Sequence, residues 1–285
     1  FSTIVKAYFT RGYSGDVCQQ AGNVVTATMR TYREAMKGLL PTPSKSHYTF
    51  NLRDFSRVVQ GVLLQEPSED FSTKPGVMRL WTHEALRVFG DRLTDDTDRQ
   101  WMCAHAATMC KEVFKCDFQS EFEHIRPSDE TETGYGTLRR LFWGDYMTAA
   151  DEDERPYAEV PDLDLLRERT EAALDDFNAA SKKPMGLVMF MFAIEHVSRI
   201  ARVLRMPGGN ALLVGVGGSG RQSLSILATE MAGYQLFRIE ITKSYGMLEW
   251  RDDLKNVLIE AGAGDRPLVF LFSDTQISRE AFVED

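Results

Sequence analysis

The sequence predicts an α/β chain in two parts: a first two thirds that is almost entirely helical, then a last third that reads β-α-β-α-β, the start of a parallel phosphate-loop domain. Three observations carry this. Apolar residues recur at helical spacing over most of residues 1–204. Asn210–Leu224 then runs from an apolar stretch through a glycine-rich turn into a helical pattern. Finally, five consecutive apolar residues, Leu268–Phe272, lead to an acid at Asp274, as a buried parallel strand does. The change of pattern lies near Lys183.

In chain order, Phe1–Phe9 and Val24–Leu40 carry apolar residues at helical spacing until Pro41 and Pro43 break the second helix. Leu40–Phe50 is an extended connector. Asn51 is the expected N-cap of a helix over Leu52–Leu64, with Arg53, Asp54 and Arg57 in its first turns. Cations at a helix start oppose the helix dipole, so Arg53 is expected to answer to an external anion. The alternative is a surface salt bridge from Arg53 or Arg57 to Asp54. The next helix, Val77–Leu93, sets Leu80, Trp81, Val88 and Phe89 on a core face, with His83 and Glu84 as packing and polar-network residues. Another helix spans Asp98–Phe114. Pro127–Gly136 reads as a loop, Arg140–Met147 as an aromatic stretch packed on the core, and Ala150–Pro156 as an acidic, solvated turn. A Glu- and Arg-rich helix over Leu163–Ser181 leads to Pro184, and Met185–Leu204 makes a more apolar helix ending at Pro207-Gly208-Gly209.

The last third carries the chemistry. Ala211–Val214 is expected to be a short buried strand, and Arg221–Met231 a helix. Between them run Gly215, Val216, Gly217, Gly218, Ser219 and Gly220. Glycine is required where backbone N–H groups converge on phosphate oxygens without Cβ atoms in the way, and the following helix turns its positive end to the same oxygens. Against the pattern G-x-x-x-x-G-K-[ST], Gly215 and Gly220 are in place, Arg221 stands for lysine, and Gln222 stands where a magnesium-binding hydroxyl is expected. Ser223 offers a hydroxyl one position late. Tyr234–Glu240 reads as a second strand and Ser244–Ala261 as a helix capped by Ser244 and ended at Gly262 or Gly264. The strand from Pro267 then delivers Asp274, with Gln222 the candidate magnesium ligand, and Thr275 follows where a water-polarising glutamate is usual. A threonine hydroxyl is a poor general base. The expectation is a site that holds ATP or ADP with Mg2+ but hydrolyses it slowly or not at all, with no intact catalytic residue. A ligand-free glycine turn and an acid that merely caps a turn are the alternatives.

Composition sets the outer bounds. Hydrophobic residues at 43% fit an ordinary folded protein, and a net charge of −9 argues against a nucleic-acid partner, which needs a basic stripe. The longest apolar run, Pro184–Ile194, is cut off by Glu195 and His196, so no membrane span is expected. Phe1 in place of methionine suggests that the chain begins inside a larger polypeptide. Four cysteines are too few for a disulfide scaffold of this length, which suits a reduced, cytosolic compartment. Cys103, His105, Cys110 and Cys116 lie close together, but no C-x-x-C pair occurs, so buried free thiols are expected over zinc.

Leu39–Arg57, His83–Leu93, Ala193–Arg205, the Gly215–Leu224 loop and Asp274-Thr275-Gln276, in this order, resemble an axonemal dynein heavy chain at the junction of its third and fourth AAA+ modules. The resemblance implies a helical AAA+ lid of the third module over residues 1–150, a connecting helix and linker over 151–183, and the N-terminal part of the fourth AAA+ P-loop module over 184–285. On that reading Arg53 senses the γ-phosphate of the third module's nucleotide, and the Leu204–Gly209 turn lies beside the adenine. The parent protein implied is an ATP-driven, minus-end-directed microtubule motor of the cytoskeleton, in the axoneme of cilia or flagella. The expected partners are neighbouring AAA+ modules of the same heavy chain, dynein intermediate and light chains, and microtubules through regions outside this chain. A non-nucleotide structural module is the alternative from another class. Another AAA+ remodelling ATPase would share the loop but hardly the Leu39–Arg57 and His83–Leu93 runs.

Overall fold

Short polar side chains set the helix starts in the computed structural model, which describes residues 1–148 and 154–284. The chain divides into two units, Phe1–Asp145 with Pro156–Leu163, and Tyr146–Arg155 with Asp164–Asp285. Residues 150–153 of the acidic turn lie outside the described residues.

In the first unit α1 (Ser2–Phe9) and α2 (Gly15–Gln19) pack on α3 (Ala21–Gly38). That helix lies in turn against α4 (Leu52–Val62) and α5 (Lys74–Ala85). Asn51 caps α4 as the sequence predicts: its Oδ1 accepts the Arg53 N–H at 2.8 Å. The third residue of the helix completes the box, because the Asp54 carboxylate accepts the Asn51 N–H at 2.8 Å. Helix α5 starts earlier than the expected Val77, since Thr73 caps it and Pro75 sits in its first turn, where a missing N–H costs nothing. It runs on into a π turn over Leu86–Gly90. Asp95 caps α6 (Asp96–Met109), which likewise ends in a π turn, Cys110–Phe114, stopped by Lys115 at φ +54°. Further on come the short α7 (Phe118–Glu121) and α8 (Tyr135–Leu138), then an antiparallel pairing of β1 (Trp143–Gly144) with β2 (Ala158–Glu159).

One aromatic-rich core holds this unit together. Leu80, Trp81, Val88 and Phe89 are all buried in it, as expected, with Trp143, Tyr48 and Tyr157. Buried indoles need partners, and both have them: Trp81 donates to Thr28 Oγ1 at 3.0 Å and Trp143 to Gln65 Oε1 at 2.9 Å. His83 and Glu84 are the polar network the sequence suggests. Fully buried Glu84 accepts the Tyr157 hydroxyl at 2.6 Å, and His83 Nδ1 lies 3.1 Å from the Leu141 carbonyl.

The second unit contains α9 (Leu163–Ala180) from Asp164 onward, α10 (Met191–Arg205), α11 (Arg221–Met231), β3 (Gln235–Phe237), α12 (Met247–Ala263) and β4 (Leu268–Phe270). Helix α10 packs on α11, α11 on β3, and α12 on β4. Strands β3 and β4 pair in parallel, Leu236 opposite Val269, which is the βαβ arrangement expected of the last third. Ile239, Trp250 and Phe282 form a small core there, with Phe270 and Phe272 packed against it.

Three expectations are corrected here. Ala211–Val214 is neither a strand nor buried: Leu212 is 90% exposed and Val214 86%. Apolar character favours burial but supplies no ladder, and among the described residues no strand pairs with this run. Residues 185–190 do not belong to α10, because the Asn178 side chain grips the Met185 backbone in both directions, at 2.7 and 3.0 Å. That clasp competes with the helix, which starts at Met191. Ser244 does not cap α12; the cap is Gly246, whose N–H donates to Glu249 at 2.9 Å, and the helix ends at Gly264.

Candidate functional site

The glycine turn has the backbone that its sequence demands. Gly218 and Gly220 both adopt φ +77°, a left-handed conformation that costs an L side chain strain, and Gly220 is the N-cap of α11. Among the described residues, the N–H groups of residues 215–220 donate to no protein acceptor in good hydrogen-bond geometry, while the loop stands exposed. Val216 is 79% exposed, so its side chain plays no part in the core. The loop is curled: a Cβ on Gly215 would come within 3.5 Å of Ser219 Oγ and 3.6 Å of Arg221 Cδ.

Arg221 supplies the reason for that curl. Its Nη1 donates to the Leu213 carbonyl at 3.3 Å and its Nη2 to the Val216 carbonyl at 3.2 Å. A guanidinium has five N–H groups in a fixed fork, so two bonds to the loop leave others for an anion. At the far end of α11, Arg155 donates to the carbonyls of Met231 and Ala232 at 2.8 and 2.7 Å, where a cation complements the helix dipole.

Gln222, in the first turn of α11, accepts Arg238 Nη2 at 3.1 Å through Oε1. Arg238 follows the carboxyl end of β3, the edge of a parallel sheet where ligands gather. Its neighbour Ile239 is fixed by the buried Gln276, which donates from Nε2 to the Ile239 carbonyl at 2.7 Å. Gln276 closes the 3₁₀ turn that Asp274 opens, just past the carboxyl end of β4. One run of contacts thus joins the start of α11 to the ends of both strands. Arg238 is the member that the sequence did not reveal, since an arginine after a strand belongs to no motif; Gln276 was singled out only as part of the Asp274-Thr275-Gln276 run, without its contact to Ile239.

Other candidates stand apart. Ser223 is half-buried in the first turn of α11. Asp274 and Thr275 are exposed, Thr275 Oγ1 lies 3.0 Å from Ser273 Oγ, and among the described residues Asp274 makes no hydrogen bond to the loop. In the first unit Arg53 is exposed and makes no ion pair among the described residues. Asp54 is taken instead by Arg92 at 2.6 Å and Arg57 at 3.9 Å.

Cys103, Cys110 and Cys116 are buried free thiols. Burial pushes the Cys103 thiol up to about 11 and Cys110 to about 12. His105 stacks on Trp101, with ring centroids 5.3 Å apart, and contacts Thr31 Oγ1 at 3.1 Å. Among the described residues no helix is long and apolar enough to cross a membrane.

Comparison with known proteins follows the same division. The family of the dynein heavy chain ATPase lid domain matches residues 4–99, and that of the P-loop containing dynein motor region D4 matches residues 185–285. Dynein axonemal heavy chain 3 of Mus musculus is 46% identical over all 285 residues, and its Homo sapiens counterpart is equally so. Dynein axonemal heavy chain 12 of Mus musculus is 47% identical over 91% of this chain. The chain spans about 7% of the length of the first two relatives and 8% of the third. Family membership carries nucleotide and Mg2+ use in general terms. With a lid-type helical unit and a glycine-loop βαβ unit matching successive dynein regions, the chain belongs to the dynein heavy-chain family.

Proposed function

We propose that the chain is the piece of an axonemal dynein heavy chain, an ATP-driven, minus-end-directed microtubule motor, that joins the third AAA+ module to the fourth. Residues 1–150 act as the third module's lid, 151–183 as the connection, and 184–285 as the start of the fourth module. The fourth-module loop, Gly215–Gly220 with Arg221, Gln222, Ser223 and Asp274, binds ATP or ADP and regulates or stiffens the ring, with little or no turnover. Arg53 answers to the γ-phosphate at the third module. Neighbouring modules, intermediate and light chains, and microtubules are the partners, and the axoneme is the location.

The observation that carries the nucleotide reading is the set of backbone N–H groups over residues 215–220 that are uncommitted among the described residues, fronting the positive end of α11. Arg221 adds charge beside them. Weak turnover follows from Thr275, whose hydroxyl cannot serve as a carboxylate base. Position supports the role of Arg53: it is an exposed cation in the first turn of α4 and makes no ion pair among the described residues. One observation favours a second reading, a structural module without ligand, since the Arg221 guanidinium already braces the loop from within.

The test is nucleotide retained by the complete heavy chain with its other phosphate loops silenced. Arg221→Ala should lower retention by about tenfold, the loss of one charge-assisted contact. Retention that does not change removes Arg221 as a phosphate contact. No retained nucleotide in the parent chain favours the structural module.

A further inference from the structure

The family uses magnesium, and the question for this chain is whether its own side chains suit the ion. Magnesium takes hard oxygens in a near-octahedral shell at about 2.0–2.1 Å, and phosphate-loop sites ordinarily present it with a loop hydroxyl and a strand-end aspartate. Here the loop position is Gln222, a neutral carbonyl oxygen that already accepts a guanidinium at 3.1 Å. A dication placed on that oxygen would sit against the positive charge of Arg238, and the repulsion falls off only slowly at short range. Asp274 is left as a lone exposed carboxylate with no bond to the loop among the described residues. The donor set does not fit a magnesium ion held through Gln222.

Arg238 fits something else. Its planar fork matches pairs of phosphate oxygens, and it stands at the carboxyl edge of the parallel pair, beside the first turn of α11. Its backbone is held in place, because β3 precedes it and the Gln276 side chain pins the next residue. Resting on the nucleotide reading given above, we propose that this site binds its nucleotide without magnesium, with Arg238 and Arg221 supplying the positive charge that the metal supplies in other phosphate-loop sites. Gln222 is the residue that brings Arg238 there. The proposed slow chemistry fits this arrangement: a guanidinium would neutralise phosphate charge without supplying a Lewis acid.

The experiment is titration of the complete heavy chain, its other phosphate loops silenced, with ADP in magnesium chloride and again in EDTA. The parent chain should bind with a Kd that changes by less than about threefold between the two, while Arg238→Gln should weaken binding in EDTA by about tenfold. Gln222→Ser, which reinstates the hydroxyl, should create a magnesium dependence of about tenfold. A parent Kd that rises tenfold or more in EDTA overturns the proposal, and so does binding by Arg238→Gln that matches the parent. Absence of ADP binding in either medium, by parent and variants alike, instead removes the nucleotide reading beneath it. Arg238 is exposed, so its replacement leaves the core intact.

Discussion

Arg92 Nη2 lies 2.6 Å from Asp54 Oδ1, and the same carboxylate holds the Asn51 N–H through Oδ2 at 2.8 Å. Arg92 in turn sits over the Phe50 ring at 4.9 Å, and Phe50 stacks on Phe89. The pair therefore fastens the start of α4 to the end of the preceding connector and to the core. Arg53, the neighbour of Asp54, is left facing outward on a fixed first turn.

Because Asp54 is buried and Arg92 is mostly so, removing one partner strands the other. Asp54→Asn and Arg92→Ala should each cost about 2–4 kcal/mol, with the double variant costing about 1–3 kcal/mol less than the sum. Urea denaturation of this chain measures it. Simple additivity would mean that the two side chains do not support one another.

A pH dependence follows from His105. Burial, the largest influence, depresses its imidazole below the ordinary 6.5; Glu34 and Glu112 pull it back up, and Arg30 pushes it down. Well above pH 7, both the folded and unfolded forms are neutral and the residue is silent. Below 6.5 the unfolded chain takes up a proton that the folded chain resists, so stability falls as the pH drops through the folded value. Comparing the parent with His105→Asn between pH 7.5 and 5 should show a flatter profile in the variant, at about these limits. Parallel profiles would mean that His105 titrates freely.

Thiol reactivity separates the cysteines. At about pH 8, thiols held near 11 to 12 are ionised to about one part in a thousand or less, and burial excludes reagent as well. Cys103 and Cys110 are such thiols, and Cys116 is also raised by burial. Cys18 is half-buried, its Sγ 2.8 Å from the Phe9 carbonyl. A disulfide reagent should label Cys18 first in the folded chain and all four cysteines in denaturant. Rapid labelling of Cys110 without denaturant would show that the core around α6 opens.

Local chemistry was legible in the sequence at Asn51 and along α11, though not at Ser244, which does not cap α12. Asn51 caps α4, Arg221–Met231 is the helix expected, and the face formed by Leu80, Trp81, Val88 and Phe89 is buried. Pairing between distant residues was not legible. Nothing in Ala211–Val214 supplies a pairing partner, and apolar content alone predicted burial that the structure does not give. The Asn178 clasp on Met185 and the Arg238 contact to Gln222 depend on where the chain returns in space. The glycine loop could be read because its backbone conformation requires glycine; the bond that Arg238 makes to Gln222 beside it could not.

On the proposed reading, the Gly215–Gly220 loop lacks two things that turnover needs, and this decides how turnover can be restored. Thr275 stands where a carboxylate would polarise water, and Gln222 with Arg238 stands where a hydroxyl would hold magnesium. Residues that act as a unit are not additive, so supplying the base alone leaves the phosphates without their metal. Thr275→Glu in an otherwise silenced heavy chain should raise phosphate release by less than about threefold, whereas Thr275→Glu with Gln222→Ser and Arg238→Gln should raise it by at least about tenfold, within the range for a positioned general base. Thr275 is exposed in its turn, so the substitution meets no packing barrier. Steady-state phosphate release with magnesium present decides between the outcomes. A large gain from Thr275→Glu alone would put magnesium back at Gln222, because a carboxylate base would then be the only part missing.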